Sequence, residues 1–278
     1  MSSLRLIATP IGNLADVSQR CRDALVGLDV LGCEDTRRTG KLLALLAIPA
    51  PKLVVVNEHT EMHAARRLVD ELSQGRSVGL VSDAGMPGIS DPGQRVVALA
   101  RAEGFDVEVI PGPVAAMLAV VGSGFEARRF VFEGFLDRKG PSRAERLQAI
   151  SRSDCATVLY EAPHRVVRTL EDLAQSCGGV RRVAIARELT KRYEQWWIGP
   201  LAQAADWAGE HAKGEFVLVV EAAPQAPDDP DELDQQVSAL LACGLGNRDV
   251  AAAIHALFGT SKNAAYRRAT ARSQDLDG

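Results

Sequence analysis

In the first half of the chain, short apolar runs alternate with longer stretches whose apolar residues recur at helical spacing. "LRLIAT" (4–9) precedes a helical pattern from about 16 to 26, and "LVVV" (53–56) precedes one from about 62 to 74. "SVGLVS" (77–82) leads to a helical pattern over 94–103, and "DVEVI" (106–110) leads to "PVAAMLAVV" (113–121). The short β-rich runs read as strands and the amphipathic stretches as helices that cover them. The alternation predicts a largely parallel sheet layered with helices.

From residue 129 the pattern changes. "RFVFEGF" (129–135), "ATVLYEA" (156–162), "RRVAIARE" (181–188) and "EFVLVVEAA" (215–223) read as strands separated by helices. "GSGFEAR" (122–128) interrupts the periodicity with glycines and polar residues, which places a domain break there. The expected organisation is an α/β domain over 1–122 and a second over 123–223, then an acidic, Pro-rich linker over 224–234 and a basic helical extension over 235–278.

Composition narrows the class. The 278 residues are 46% apolar and 24% charged, which suits a globular protein long enough for cores of its own. No stretch approaches the roughly 20 apolar residues of a membrane helix, and no basic start is followed by a long apolar run. The five cysteines (Cys21, Cys33, Cys155, Cys177, Cys243) form no CxxC pair and read as reduced thiols of a cytoplasmic protein. His164 has no second histidine at ligand spacing, so no metal site is expected. A net charge of −4 argues against a surface that coats nucleic acid throughout. Basic residues nevertheless gather over 128–146 and 245–272. Such patches bind phosphates on an acidic protein, and they also suit solvated helix faces.

Three Gly/Pro-rich loops follow predicted strands: "TPIGNL" (9–14), "SDAGMPGISDPG" (82–93) and "PGPVAA" (111–116). Open α/β sheets bind ligands beyond the carboxyl ends of their strands. The chain has no GxxxxGK[ST] loop, and its first loop is not GxGxxG. The first two loops lack Lys and Arg, and the second carries Asp83 and Asp91. Acid there disfavours a polyphosphate and tolerates a cation. S-adenosylmethionine, a nucleoside with a sulfonium and no phosphate, fits better.

The ordered set "ATPIGNLADVSQR", "CEDTRRTGKLL", "GLVSDAGMPGISDPG", "VIPGPVAA", "FVFEGFLDRKG", "VLYEAPHRVVRTLEDL", "ARELTKRYE" and "KGEFVLVVE" resembles the tetrapyrrole (corrin/porphyrin) methylase superfamily. "EDTR", "YExPHR" and "RELTK" resemble its branch that methylates the ribose 2′-hydroxyl of a cytidine in 16S rRNA of the small ribosomal subunit. The resemblance implies two α/β domains with a cofactor cleft between them, S-adenosylmethionine as cofactor and a homodimer. For the cofactor it implies Gly12, Asn13, Asp83, Ala84, Gly85, Met86, Pro87, Ser90, Pro111, Gly112, Pro113 and Ala115. Tyr160, Arg187, Glu188, Leu189, Glu215 and Phe216 join them from the second domain. The RNA candidates are Arg37, Arg38, Lys139, Arg143, His164, Arg165, Lys191 and Arg192, whose contacts to phosphate are blind to sequence. The basic helical tail also resembles that branch.

Methyl transfer to a hydroxyl needs alignment and a proton acceptor. His59 and Glu61 follow the strand "LVVV", and Glu34 follows "DVLGC", so these three are the candidate bases. Asp35 and Thr36 also suit an N-cap of the following helix, and Glu34 an ion pair with Arg37 or Arg38. Trp196 and Trp197 suit a dimer interface or a core. Two positions depart from the branch: Met86 replaces a threonine, and Thr60 an asparagine. A tetrapyrrole or diphthine-type methylase, or a non-catalytic ribosome binder, stays open as an alternative.

Overall fold

The computed structural model describes residues 3–57, 60–224, 230–258 and 260–276. The chain forms two compact units, Met1–Leu118 with Ala186–Gln195, and Ala119–Ile185 with Trp196–Gly278.

The first unit alternates β1 (Ser3–Ile7), α1 (Gln19–Leu25), β2 (Val30–Cys33), α2 (Thr36–Leu45), β3 (Lys52–Val55), α3 (Glu61–Ser73), β4 (Val78–Leu80), α4 (Gln94–Ala102) and β5 (Asp106–Ile110). The strands pair in the order β3-β2-β4-β1-β5, parallel throughout. Every residue of β2 and β4 is buried, which is why their sequences show no polar alternation. One sheet face, with Leu4, Val30, Val54 and Leu80, packs on Ala64, Leu68 and Leu72 of α3 and on Val96 and Ala100 of α4. The other, with Ile7, Leu31, Cys33 and Val81, packs on Cys21 and Leu25 of α1 and on Leu43 of α2. Each such fully buried Leu or Val stabilises the fold by roughly 1.5–3 kcal/mol. Parallel pairing sends the loops after β1, β2, β4 and β5 to one end of the sheet.

A helix, α5 (Ala115–Ser123), leads to the second sheet. It comprises β6 (Phe130–Phe135), α6 (Pro141–Arg152), β7 (Ala156–Glu161), α7 (Val166–Cys177), β8 (Arg182–Arg187), β9 (Gln195–Pro200), α8 (Leu201–Glu210) and β10 (Phe216–Val220). The order is β6-β7-β10-β8-β9, with β6 parallel and β10 antiparallel to β7. The strand β9 was not anticipated, because "QWWIGP" ends in Gly-Pro and its Trp residues are only half-buried. Trp197 packs against the core of the second sheet and stacks on Trp207 at 6.2 Å between ring centroids, so its role within the chain is core packing.

Two boundaries differ from the sequence expectation. The "ARELTKRYEQ" segment, Ala186–Gln195, clusters with the first unit rather than the second. The acidic stretch expected to run as a linker to residue 234 is helical from Pro230, where α9 (Pro230–Ala242) begins. Proline is suited to a first helical turn and acidic residues to the positive end of the helix dipole, so "PDELD" starts a helix instead of spacing one. Asp234 then pairs with Arg268 and Arg272. Two further helices, α10 (Asn247–Phe258) and α11 (Lys262–Leu276), pack with α9 around Leu233, Val237, Val250, Ile254 and Ala265.

Candidate cofactor site

The three Gly/Pro-rich loops meet at the carboxyl end of the first sheet. Thr9 and Gly85 form an isolated antiparallel bridge, Thr9 N donating to Gly85 O at 2.8 Å and Gly85 N to Thr9 O at 3.1 Å. The Thr9 hydroxyl also donates to Ser82 O at 3.2 Å, and Ala8 N donates to Ile110 O at 3.2 Å. Gly85 lies at φ +83°, and a Cβ there would stand 3.2 Å from both Ile11 Cγ2 and Pro113 O. That one position therefore touches all three loops, and the turn needs glycine both for its left-handed backbone and for space. At Gly12 a Cβ would run into the side-chain stem of Lys191, so the "RELTK" turn lies over the first loop. Three non-glycine residues of these segments hold positive φ: Ser90 at 60°, Glu188 at 54° and Thr190 at 64°. Backbone strain of this kind concentrates at ligand sites.

Carboxylates gather beside the loops. Glu34 Oε1 accepts from Asp83 N at 3.0 Å, and Asp83 Oδ1 accepts from Asp35 N at 3.3 Å. Arg38 reaches Asp83 Oδ2 at 3.1 Å. Burial, the charge of Glu34 and, to a lesser extent, that of Asp83 push the Asp91 carboxyl up to about 7, against a hydrogen bond from Ser82 that favours its ionised form. Burial raises Glu34 as well. Asp91 is a residue that sequence reasoning missed as a candidate base, although its place in an acidic, glycine-rich loop after a buried strand was the available signal.

Several sequence-derived roles change. Glu61 is not a free base. Its Oε1 accepts from Gly93 N at 2.8 Å and from Arg95 N at 3.0 Å, and Oε2 lies 3.6 Å from Arg95 Nε. Gly93 has no side chain to cap α4, so Glu61 caps that helix from α3 and fixes the "SDPG" turn. His59 lies outside the described residues. Asp35 is the N-cap of α2, accepting from Arg37 N at 2.8 Å, and the Arg37 guanidinium holds its carboxyl well below the usual range. Glu34, read as a possible partner of Arg37 or Arg38, accepts from the Asp83 amide and also feels the charge of Arg38. Met86 packs against the apolar core beside α4, which explains how a thioether replaces a hydroxyl in this loop.

The remaining cofactor candidates fall in separate places. Asn13 Oδ1 accepts from Ala15 N and caps the turn at Leu14–Asp16. Pro87 is buried, Ala84 is exposed at the turn, and Ala115 opens α5. Pro111 O accepts a long 3.5 Å contact from the Cys21 thiol, and Gly112 follows it in the same loop. Arg187 donates to Gln195 Oε1 at 2.7 Å, Leu189 is buried, and Glu188 pairs with Lys191 at 2.7 Å. In the second unit, Tyr160 meets Phe132 and Phe135 edge-on at 5.1 and 5.7 Å, and Glu215 stands just before β10. Phe216 is corrected: its ring is 2% exposed within the second core and is not available to a ligand.

Among the RNA candidates, Lys139 and His164 are exposed in the second unit. Arg143 is corrected. It is 5% exposed, bonds Asp172 Oδ2 at 2.6 Å, Thr169 Oγ1 at 3.1 Å and Asp137 O at 2.9 Å, and serves as an internal cross-link. Arg165 is drawn inward to Glu161 at 3.3 Å and to Leu136 O. Arg37 and Arg38 are exposed but paired with Asp35 and Asp83. Arg192 lies 5.6 Å from the Tyr193 ring centroid. No cluster of three or more His, Cys, Asp or Glu suited to a metal occurs among the described residues.

A parallel α/β unit with a phosphate-unfriendly, glycine-lined crown, followed by a mixed-sheet unit, is the architecture of a methylase class, and the chain belongs to the tetrapyrrole (corrin/porphyrin) methylases, whose family model matches residues 3–205. Its relatives are more particular. A Synechocystis protein named ribosomal RNA small subunit methyltransferase I is 42% identical over 88% of this chain and 89% of its own length. A Vibrio cholerae protein of the same name is 40% identical over 95% of this chain and 93% of its own. Among solved structures, diphthine synthase aligns at TM-score 0.63 and 16% identity, covering 84% of this chain and 99% of its own. The methyltransferase CobJ aligns at 0.62 and 20% identity, covering 83% and 98%. These two show the fold. A Thermus thermophilus uroporphyrin-III C-methyltransferase at TM-score 0.56 and 18% identity, aligned over 78% of this chain and 97% of its own, was solved with S-adenosylhomocysteine.

Proposed function

We propose that this methyltransferase moves the methyl group of S-adenosylmethionine to the ribose 2′-hydroxyl of a cytidine in 16S rRNA, on the small ribosomal subunit. The observation that carries the reading is the convergence of three loops at Gly85, in a setting with carboxylates and without a phosphate-binding motif. It is joined by near full-length similarity to relatives named for the small-subunit RNA. Backbone amides and carbonyls of the loops hold the nucleoside, and the carboxylates tolerate the sulfonium. Displacement at the sulfonium carbon forms an O–CH3 bond and breaks an S–CH3 bond. S-adenosylhomocysteine leaves, and the hydroxyl proton goes to a base. Asp91, raised towards neutrality by burial and by Glu34, is matched to that task at neutral pH.

Two copies act together in this reading, in the cytoplasm where ribosomes are made. The exposed apolar residues Met117, Leu118 and Val121 of α5 support association. No helix among the described residues is long and apolar enough to cross a membrane. The test is incubation with methyl-labelled S-adenosylmethionine and, in parallel, small subunits lacking the modification, naked 16S rRNA and a porphyrinogen. Label in the RNA of the subunit supports the proposal, and label on the porphyrinogen overturns it.

A further inference from the structure

The three C-terminal helices follow β10, the last strand of the second sheet, and lie beyond residue 205, where the match to the family model ends. They have their own apolar core, and their cations divide into two sets. Arg268 and Arg272 turn towards α9, where Asp234 holds them at 3.1 and 2.7 Å. Arg248 of α10 and Lys262 and Arg267 of α11 are exposed, and no acidic side chain pairs with them among the described residues. Asp249, next to Arg248, is the one acid in the first turn of α10. Arg248, Lys262, Asn263 and Tyr266 border a shallow groove of about 500 Å³ floored by Ala251 and Ala252. Tyr266 is 44% exposed and has no ring partner among the described residues. Arg267, one position further along the helix, borders the adjoining groove with Ala264 and Ala265.

We propose that this face of α10 and α11 is a second RNA-docking surface, separate from the methyl-transfer site, which grips phosphates with Arg248, Lys262 and Arg267 and stacks a base on Tyr266. It rests on the RNA substrate proposed above. Unpaired cations on a protein of net charge −4 fit an anionic partner, and an exposed ring between them fits one that also carries flat bases. The small alanine floor lets a backbone approach closely. An acidic protein surface would use the cations and leave the ring and the Asn263 amide idle.

The test uses the full chain carrying Arg248→Ala, Lys262→Ala and Arg267→Ala together, and separately Tyr266→Ala and Tyr266→Phe. Binding to naked 16S rRNA is followed by fluorescence anisotropy across a salt series. Loss of three phosphate contacts lowers the slope of log K against log salt by about 2–3. Tyr266→Ala weakens binding at least about five-fold, and Tyr266→Phe restores it, because the ring face and not the hydroxyl carries the contact. In turnover the triple variant raises KM for the small subunit and leaves KM for S-adenosylmethionine unchanged. These side chains are exposed and unpaired, so the melting temperature stays at the wild-type value. A triple variant with wild-type salt slope and wild-type subunit KM overturns the surface. Binding is read without turnover, so a protein that grips RNA here but methylates none of it would refute the proposed reaction and not this surface.

Discussion

Glu61 is the residue whose role changed most, and its substitution separates a structural cap from a catalytic base. In Glu61→Ala the amides of Gly93 and Arg95 lose the carboxylate that accepts from both at 2.8 and 3.0 Å. Losing a helix cap costs about 0.5–2 kcal/mol. Losing the negative charge at the start of α4 adds about 0.3–1 kcal/mol. Arg95 is exposed and water satisfies part of the loss, so we expect a total of about 1–2.5 kcal/mol. At roughly 2–4 °C per kcal/mol for a chain of this size, the melting temperature falls by about 2–10 °C. The "SDPG" turn loosens with it, and affinity for S-adenosylmethionine, read by calorimetry, drops several-fold. Glu61→Gln keeps the acceptor oxygen and loses only the charge, so it stays within about 1 kcal/mol of wild type. The reasoning fails if both variants melt and bind cofactor normally yet lose about 100-fold or more in rate, the pattern of a missing general base.

Asp91→Asn tests the raised carboxyl. The folded acid sits near 7 against an ordinary value of 3.8, so the native state binds the proton more tightly and stability falls as pH rises from about 4 to about 7. Urea unfolding at pH 8 should show Asp91→Asn more stable than wild type, with a ceiling of about 4 kcal/mol, and the gain should vanish at pH 4. Wild-type methyl transfer should rise with pH through about 7, and a flat profile would remove Asp91 as the proton acceptor. Arg143→Ala strands Asp172 in a half-buried pair and should cost about 3–5 kcal/mol by denaturant titration, while the salt dependence of RNA binding stays unchanged. Met86→Thr trades core packing for a hydroxyl and should lower stability by about 1–3 kcal/mol; an increase would show that the side chain is not packed as described.

The central strands of the first sheet were legible because burial on both faces leaves short apolar runs without polar alternation, as in "VLGC" and "VGL", whereas the edge strand that carries "LVVV" leaves Val55 exposed. The three Gly/Pro-rich loops were legible for the same reason in reverse: Gly and Pro mark where the chain leaves the sheet. What the sequence hid is long-range. Nothing in "TEMHAA" announces that Glu61 caps a helix some thirty residues on, because a cap supplied from another element has no local spacing. Arg143 reads as one more cation in a basic stretch until its partners, Asp172 and Thr169, fold over it. The tandem tryptophans of β9 carried no alternation, and "PDELD" read as a spacer because its helix-starting residues are the same ones that make linkers polar.

The central claim is a chemical one, methylation of a ribose in small-subunit RNA. Small subunits lacking the modification are incubated with the protein and methyl-labelled S-adenosylmethionine, the RNA is digested to nucleosides, and the labelled product is identified by mass spectrometry. The account predicts label in 2′-O-methylcytidine, with S-adenosylhomocysteine formed in equal amount. Label on a base, or none in RNA beside turnover on a porphyrinogen, would contradict it.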